Sequence, residues 1–308
     1  MNGRRLWVPS RLRPGDRVAI VAPSGPVDPV GLARGRQVLA ETGLEVEVMP
    51  RVMHRRGYLA GSDAGRAADL QEAWCDPAYR AVVCARGGYG ATRLLELFDW
   101  HAMEAARPKI LLGSSDITAL HQAFAVRLGV ASCFGPMPAC QTLGDPEGPD
   151  PASLAHLRAS LFETEAPGPI TGDRVIVPGR AEGPLTGGNL ALLAALCGTP
   201  YALRGRGRLV LLEDVGEEPY RVDRMLTQLL QAGCLDGVAG IALGSWVDCG
   251  DPMAVLIERL APLGVPMIAG LPVGHGSPQF TAWMGADAVI DTESCSLACL
   301  FRDPATAM

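Results

Sequence analysis

The sequence lacks the features of membrane-spanning, exported and metal-binding proteins. No stretch approaches the roughly 18 consecutive apolar residues that a membrane-spanning helix needs. The first residues include basic side chains but no apolar core of about 7–15 residues, so we expect a cytoplasmic protein. Nine cysteines are scattered without a C-x-x-C pair, and four of the five histidines have no ligand-rich neighbours. We therefore predict free cysteines, no metal site and no cofactor.

Lysine is almost absent as well. Lys109 is the only lysine among 27 basic residues, and arginine replaces it along the whole chain, so we assign this bias no functional meaning. The net charge of −6 and the pI near 5.4 create no field that attracts nucleic acid or anionic lipid, so we predict neither as a partner. The hydrophobic content of 48% is that of a chain with a substantial core, and 308 residues suffice for two domains.

Strand-like apolar runs alternate with helical patterns in the first half of the chain, which predicts an α/β fold with a mostly parallel sheet. The predicted strands are residues 17–22, 44–49, 81–85 and 110–112, and the predicted helices are 29–42, 64–74, 91–97 and 117–128. Both faces of such a sheet are covered, and loops at the carboxyl ends of its strands form the binding sites.

A segment rich in Pro, Gly, Asp and Glu follows at residues 144–172 and contains one helical stretch, 152–162. Beyond it the pattern begins with strands and continues as a second α/β region. The predicted strands there are 175–177, 180–185, 209–212, 240–243, 266–268 and 288–290, and the helices are 189–197, 220–232 and 253–260. We predict an N-terminal domain at 1–150, a connection at 151–172 and a C-terminal domain at 173–308.

The most informative position is Ser115, which follows the predicted strand at 110–112 and precedes a helix that starts near Ile117. A strand, a sharp turn and a helix present the hydroxyl nucleophile in many α/β enzymes, and the first helical N–H groups face the developing charge. The same residues are compatible with a helix cap formed by Ser114, Ser115 or Asp116. A serine nucleophile also needs a base, which must come from elsewhere in the chain.

Glu213 and His275 are candidates for the remaining two groups. Glu213 directly follows the predicted strand at 209–212, and His275 lies in a loop rich in Pro and Gly. In a Ser–His–acid arrangement the imidazole takes the serine proton and returns it to the leaving amine, while the carboxylate orients the ring. Glu213 could equally pair with an arginine, whereas the loop of His275 is too polar for simple core packing. We rank Glu217 and Glu218 below Glu213 because they lie past the strand end.

A glycine loop from Arg86 to Gly90 follows the predicted strand at 81–85 and opens a helix. Glycines in such a loop let backbone N–H groups approach a ligand closely. The loop matches neither the dinucleotide-binding motif nor the P-loop. It is compatible with phosphate binding and with one half of an oxyanion hole.

Taken in order, these segments resemble the LD-carboxypeptidase family of serine peptidases, which includes the microcin C self-immunity proteins. The resemblance covers nearly the whole chain. It is carried by RPGDRVAIVAPSG at 13–25, GYLAGSD at 57–63 with Arg66, ARGGYG at 85–90, GSSD at 113–116, the segment from Leu212 to Arg224, and the loop at 274–278. Several motifs in the right order are specific, although each alone is not.

The resemblance implies a flavodoxin-like N-terminal domain with a mostly parallel sheet and a smaller, swivelling β/α C-terminal domain, with the site in the cleft between them. It implies that Ser115 is the nucleophile, His275 the general base and Glu213 the orienting acid. The backbone N–H groups of Gly88 and Asp116 would form the oxyanion hole. Homodimers are usual in the family, so we expect one here.

The implied reaction removes the terminal D-alanine from a murein tetrapeptide during cytoplasmic cell-wall recycling, through an acyl-enzyme. It cleaves an amide between an L-configured centre and a D-residue. Arg86 is a candidate for holding the free carboxylate of the substrate, although it could instead pin its own loop. Gly87 and Tyr89 complete the candidate substrate-binding residues.

Two other functions stay open at this point. Within the family, the rival substrate is an aminoacyl- or peptidyl-nucleotide, whose base stacks on an aromatic loop. No aromatic residue lies between Met137 and Phe162, which favours the murein peptide. The other hypothesis, from a different class, is a non-catalytic module that binds an anion at the glycine loop and at helix N-termini.

Overall fold

The computed structural model describes residues 5–162 and 167–300, which form two β-sheets and their covering helices. The helices in chain order are α1 (Pro29–Glu41), α2 (Asp63–Cys75), α3 (Trp100–Ala105), α4 (Thr118–Arg127), α5 (Gln141–Gly144), α6 (Pro151–Phe162), α7 (Leu190–Ala195), α8 (Pro219–Gln231) and α9 (Met253–Leu260). Short 3₁₀ turns lie at Ala91–Leu94, Ser115–Ile117 and Ala261–Leu263. None of the described helices is both long and apolar enough to cross a membrane.

The strands in chain order are β1 (Arg17–Val21), β2 (Glu45–Val48), β3 (Tyr79–Cys84), β4 (Ile110–Gly113), β5 (Ser132–Phe134), β6 (Ile170–Thr171), β7 (Arg174–Val177), β8 (Arg180–Asn189), β9 (Leu209–Val215), β10 (Gly240–Val247), β11 (Met267–Ala269), β12 (Ala282–Met284), β13 (Asp287–Asp291) and β14 (Ser296–Leu300).

The first sheet has the strand order β12-β5-β4-β3-β1-β2, in which β1 to β5 are parallel and β12 is antiparallel to β5. Every residue of β4 and nearly every residue of β1 and β3 is buried, so both faces of this sheet are covered. The strand order reverses beside β1 and β3. The loops after β1, β3 and β4 therefore gather at one edge of the sheet, where ligands bind in open α/β folds.

The second sheet has the strand order β6-β14-β13-β8-β9-β10-β11-β7. Its central strands β8 to β11 are parallel, and antiparallel strands flank them on both sides. Apolar residues of β9 and β10 pack with those of α7, α8 and α9 in one core cluster. This packing helps to bury β9, which contains Glu213 and lies in the middle of the sheet.

The predicted α/β class and the mostly parallel first sheet are confirmed, but several elements differ. The strand predicted to end at residue 212 continues to Val215, because its polar residues still pair with neighbouring strands: Glu213 with Asn189, and Asp214 with Trp246. The helix predicted at 91–97 is a short 3₁₀ turn. Strands β5, β6, β12 and β14 were not among the predicted strands.

The chain crosses between the two sheets after its middle. Strand β12 comes from the second half but pairs with β5 in the first sheet, where Ala282 lies opposite Phe134. Helix α6 occupies the described start of the predicted connection, while residues 163–166 lie outside the described residues. The boundaries at residues 150 and 172 stay a prediction.

Candidate active site

Ser115 lies on a sharp turn between β4 and α4, where its backbone φ is 62°. A non-glycine residue rarely adopts this left-handed conformation, so the surrounding structure must hold it there. Neither the 3₁₀ turn nor α4 has a side-chain cap, which argues against the capping alternative. The Ser115 side chain is half-buried, and its hydroxyl makes no hydrogen bond within the described part of the chain.

The glycine loop lies directly against this turn. A Cβ added at Gly87 would come within 2.7 Å of the Ser115 Cβ and 2.9 Å of its Oγ, so this contact requires glycine. Gly88 has a φ of 119°, which also favours glycine. The Cβ added at Gly87 would also lie 3.4 Å from the backbone nitrogen of Asp116. The segments that carry the Gly88 and Asp116 amides therefore border the Ser115 hydroxyl.

The buried carboxylate of Asp116 joins the turn to two neighbouring loops. Its Oδ2 accepts hydrogen bonds from the Ser24 hydroxyl at 2.5 Å and from the Ala91 amide at 2.8 Å. Burial raises the pKa of Asp116 above its usual value, although these hydrogen bonds act in the opposite direction. The Asp116 side chain thus connects the Ser115 turn to the loop after β1 and to the end of the glycine loop.

Arg86 and Tyr89 flank the two adjacent glycines of the glycine loop. The Nε of Arg86 donates to the Gly87 carbonyl at 3.2 Å and its Nη1 donates to the Pro26 carbonyl at 3.1 Å. Arg86 therefore pins its own loop, and Nη2 is the nitrogen left for a substrate carboxylate. Tyr89 is 50% exposed, and its ring centroid lies 5.8 Å from that of Tyr58, which is also exposed.

Glu213 and His275 form a direct pair. The Nδ1 atom of His275 lies 2.7 Å from Oε2 of Glu213, which is completely buried. Because a carboxylate only accepts, Nδ1 carries the proton and Nε2 is left to accept one. Burial lowers the pKa of His275, but the hydrogen bond and charge of Glu213, together with the charge of Asp214, raise it overall.

Asn189 and Asp214 support this pair. The Asn189 Nδ2 donates to Glu213 Oε1 at 3.3 Å and to Asp214 Oδ1 at 2.7 Å, while its Oδ1 caps α7 by accepting from the Leu192 amide. Burial raises the pKa of Asp214 to about 6. The backbone N–H of Asn189 donates to the hydroxyl of Thr118, the first residue of α4. Glu213 is therefore connected, through Asn189, to the helix that follows Ser115.

Residues 271–281, which we call the histidine loop, are bonded to the first half of the chain. The Gln279 Nε2 donates to Ser114 Oγ at 3.1 Å, and the Thr281 amide donates to His156 Nδ1 at 3.1 Å. These hydrogen bonds hold the loop that contains His275 beside the Ser115 turn. Within residues 5–162 and 167–300, the Ser115 hydroxyl and His275 are not joined by a hydrogen bond.

Sequence reasoning missed three residues of this region. Asn189 caps α7, and its hydrogen bond to Glu213 has no local sequence signal. Asp214 and Gln279 were not singled out, since their partners lie 25 and 165 positions away. Among the described residues, no group of three or more His, Cys, Asp or Glu is arranged to hold a metal ion.

Comparison with known proteins identifies the family. The LD-carboxypeptidase N-terminal domain matches residues 18–135, and the LD-carboxypeptidase C-terminal domain matches residues 182–290. The chain belongs to the LD-carboxypeptidase family. It is therefore a serine-type carboxypeptidase, and the hypothesis of a non-catalytic binding module is set aside.

Full-length relatives extend this match. The murein tetrapeptide carboxypeptidase of Pseudomonas aeruginosa is 37% identical over 290 residues, which cover 89% of this chain and 93% of that protein. A Streptomyces coelicolor relative, itself only a proposed carboxypeptidase, is 52% identical over 303 residues and 96% of each chain is covered. The structure of MccF in complex with glutamyl sulfamoyl guanosine has a TM-score of 0.86 at 22% identity, covering 97% of this chain and 99% of that chain. This likeness confirms the two-domain α/β fold of this chain.

Proposed function

We propose that this LD-carboxypeptidase releases the terminal D-alanine of murein tetrapeptide, with Ser115 as nucleophile, His275 as general base and Glu213 as orienting acid. The observation that carries the proposal is the 2.7 Å contact between a completely buried carboxylate and an imidazole, on a loop bonded to the residue before Ser115. A serine held at a φ of 62° against glycines is the other half of such a site.

The chemistry follows from these positions. His275 Nε2 takes the Ser115 proton as Oγ attacks the carbonyl carbon of the scissile amide. The carbonyl oxygen becomes negatively charged and accepts hydrogen bonds from the backbone N–H groups of Gly88 and Asp116. His275 then protonates the amine of the departing D-alanine, which leaves an acyl ester on Ser115. The same imidazole then removes a proton from a water molecule, which attacks the carbonyl carbon of the ester. The imidazole returns this proton to Ser115 Oγ as the ester bond breaks and the acid product leaves.

The Ser115 hydroxyl and the His275 imidazole must come within hydrogen-bonding distance before the first step. The Ser115 hydroxyl has no hydrogen-bond partner among the described residues, so it can rotate towards the imidazole when substrate binds. Hydrogen bonds between catalytic groups are often long in unliganded enzymes and tighten in the substrate complex. Glu213 prepares His275 for this step because it holds the ring with Nε2 unprotonated.

The murein assignment is supported by the Pseudomonas aeruginosa relative, whose name states that substrate. In this chain, Arg86 Nη2 would contact the free carboxylate of the terminal D-residue as a single donor. Its other two donor atoms already hold the carbonyls of Gly87 and Pro26. Gly87 leaves room for the substrate beside Ser115, and Tyr89 would contact the peptide on its exposed side.

One observation favours a second substrate class. Tyr58 and Tyr89 form an exposed aromatic pair beside the glycine loop, with ring planes inclined at 57°. Exposed rings of this kind stack nucleobases, and the fold is that of MccF, whose complex contains a glutamyl sulfamoyl nucleoside. An aminoacyl-nucleotide amide is therefore the alternative substrate.

The decisive experiment incubates the purified protein with murein tetrapeptide and, separately, with an aminoacyl sulfamoyl nucleoside. We expect free D-alanine from the first and at most slow hydrolysis of the second. Ser115→Ala and His275→Ala should each lower kcat by several orders of magnitude while substrate still binds. Ser277→Ala, which removes an exposed hydroxyl close to His275, is the matched control. Normal turnover in both Ser115→Ala and His275→Ala would refute the assigned roles.

We also propose that the enzyme works in the cytoplasm as a homodimer. The substrate and the family resemblance support this, because murein peptides that enter the cytoplasm are the material for recycling. Light scattering of the purified chain tests the assembly. Fractionation of the producing cells, followed by an activity assay on each fraction, tests the location.

A further inference from the structure

We propose that Gln279 is a positioning residue that sets the distance between His275 and Ser115. The inference rests on the proposed function, in which these two side chains exchange a proton. Gln279 lies on the histidine loop, four residues after His275, and is 5% exposed. Its Nε2 donates to the hydroxyl of Ser114, which precedes Ser115 and is 3% exposed. This hydrogen bond thus connects the immediate surroundings of the base and of the nucleophile.

The side-chain amide of Gln279 has a defined orientation. The Thr142 hydroxyl donates to Oε1 at 3.4 Å, so the oxygen faces α5 and Nε2 faces Ser114. The backbone N–H of Gln279 donates to Ser153 Oγ on α6 at 2.7 Å. All three partners belong to the first half of the chain. Gln279 is therefore fixed to the part of the molecule that carries the nucleophile.

The other end of the histidine loop is fixed to the second sheet. His275 bonds to Glu213 on β9, and the Gly276 amide donates to the Ser245 hydroxyl on β10 at 3.1 Å. The hydrogen bond with Glu213 orients the imidazole and raises its pKa, and the Ser245 contact holds the next residue of the loop. The contacts of Gln279 instead set where the loop lies relative to Ser115. The two effects can be separated experimentally because they depend on different residues.

The test compares Gln279→Met, Ser114→Ala and the double variant. Methionine has a similar length to glutamine but cannot form the two side-chain hydrogen bonds to Ser114 and Thr142. Ser114→Ala removes the first of these bonds from the other side. A displacement of about 1 Å at a reacting pair can cost about 100-fold in rate. We expect each single variant to lower kcat by about 10- to 100-fold with KM changed less than about twofold.

The double variant shows whether Gln279 acts through Ser114. Since both substitutions remove the hydrogen bond between Gln279 and Ser114, the loss in the double variant should be close to the larger single loss rather than the product of the two. The pH midpoint of kcat/KM should stay at its original value, because the His275–Glu213 pair is intact. Ser277→Ala is the control, since its hydroxyl makes an exposed 3.4 Å contact with Asp150 from the same loop. It should retain the original kcat.

Three outcomes would overturn the proposal: unchanged kcat in well-folded Gln279→Met, multiplicative losses in the double variant, or a shifted pH midpoint. Circular dichroism and thermal unfolding verify folding, and Ser114→Ala decides alone if Gln279→Met does not fold.

The reaction of Ser115 with a fluorophosphonate gives a second rate that needs no peptide substrate. A parent enzyme that reacts with this probe but releases no D-alanine would refute the murein substrate and leave the Gln279 test intact. A parent enzyme inert in both assays would refute the triad and this inference together.

Discussion

Replacing Glu213 with glutamine should inactivate His275 by moving its proton to the wrong nitrogen. Glu213 accepts from His275 Nδ1 through Oε2 and from the Asn189 amide through Oε1. A glutamine has one oxygen and one NH₂ group, and Asn189 can only donate at this contact because its own oxygen caps Leu192. The glutamine oxygen therefore turns towards Asn189. Its NH₂ group then faces Nδ1, so the imidazole proton moves to Nε2, which should accept the proton of Ser115.

The expected loss exceeds that of a single hydrogen bond. A hydrogen bond to a charged group contributes about 1.5–3 kcal/mol, which corresponds to about 10- to 100-fold in rate. An incorrect tautomer costs more, since the corresponding Asp-to-Asn change in a chymotrypsin-type triad lowers kcat by about 10⁴. We therefore expect Glu213→Gln to lower kcat for D-alanine release by about 10³- to 10⁴-fold. Substrate affinity should change little, because Glu213 is completely buried behind the imidazole.

A second substitution, at Asn189, tests whether the wrong tautomer causes the loss. Asn189→Ser keeps a side-chain oxygen that can cap Leu192 but removes the NH₂ group that faces Glu213. When Asn189→Ser is combined with Glu213→Gln, the introduced glutamine can turn its oxygen back to His275 and restore the Nδ1–H tautomer. We expect the double variant to be at least tenfold faster than Glu213→Gln alone. Asn189→Ser by itself provides the control.

The pH dependence of kcat/KM tests the effect of Glu213 on His275 independently. Glu213 raises the pKa of His275 above its ordinary value of 6.5, against the effect of burial, so kcat/KM should fall as the pH drops through that raised value. In Glu213→Gln this acid limb should move to lower pH, because the neutral amide no longer stabilises the imidazolium. A loss of less than tenfold in Glu213→Gln, or further damage on adding Asn189→Ser, would show that tautomer control is not the role of Glu213.

Two further predictions concern packing and acid stability. Gly87→Ala should lower kcat by about 100-fold with the fold intact by circular dichroism, because its Cβ would lie 2.7 Å from the Ser115 Cβ; unchanged kinetics would contradict the observed packing. His121 is buried between the Ser132 hydroxyl and the Gly113 carbonyl, and burial lowers its pKa to about 4. Below pH 6.5 the unfolded chain binds a proton at His121 that the folded protein does not bind until the pH approaches 4. The free energy of unfolding should therefore be unaffected by His121 above pH 6.5 and decrease by roughly 3 kcal/mol as the pH falls towards 4. Urea unfolding from pH 7 to 4.5 should show a smaller decline for His121→Asn than for the parent protein, and equal declines would contradict this assignment.

The sequence by itself determined the features that depend on neighbouring residues. Apolar runs of β1, β3 and β4 predict buried parallel strands, because a strand covered on both faces must be apolar throughout. The position of Ser115 after such a strand, and of glycines after another, predicts a nucleophile turn beside a loop that permits close approach. His275 stands out because its loop is unsuited to core packing. These inferences need no knowledge of which segments meet.

Only the tertiary structure decided which side chains meet. Asn189 contacts Glu213 because the parallel register of β8 and β9 places these residues opposite each other, and no local pattern specifies that register. The histidine loop lies beside the nucleophile turn because β12 pairs with the first sheet and Gln279 bonds to Ser114, across 165 positions of sequence. Such contacts depend on how the two sheets pack and on the pairing of β12 with the first sheet. These contacts join residues that are far apart in the sequence, so the pattern of residues within one segment cannot predict them.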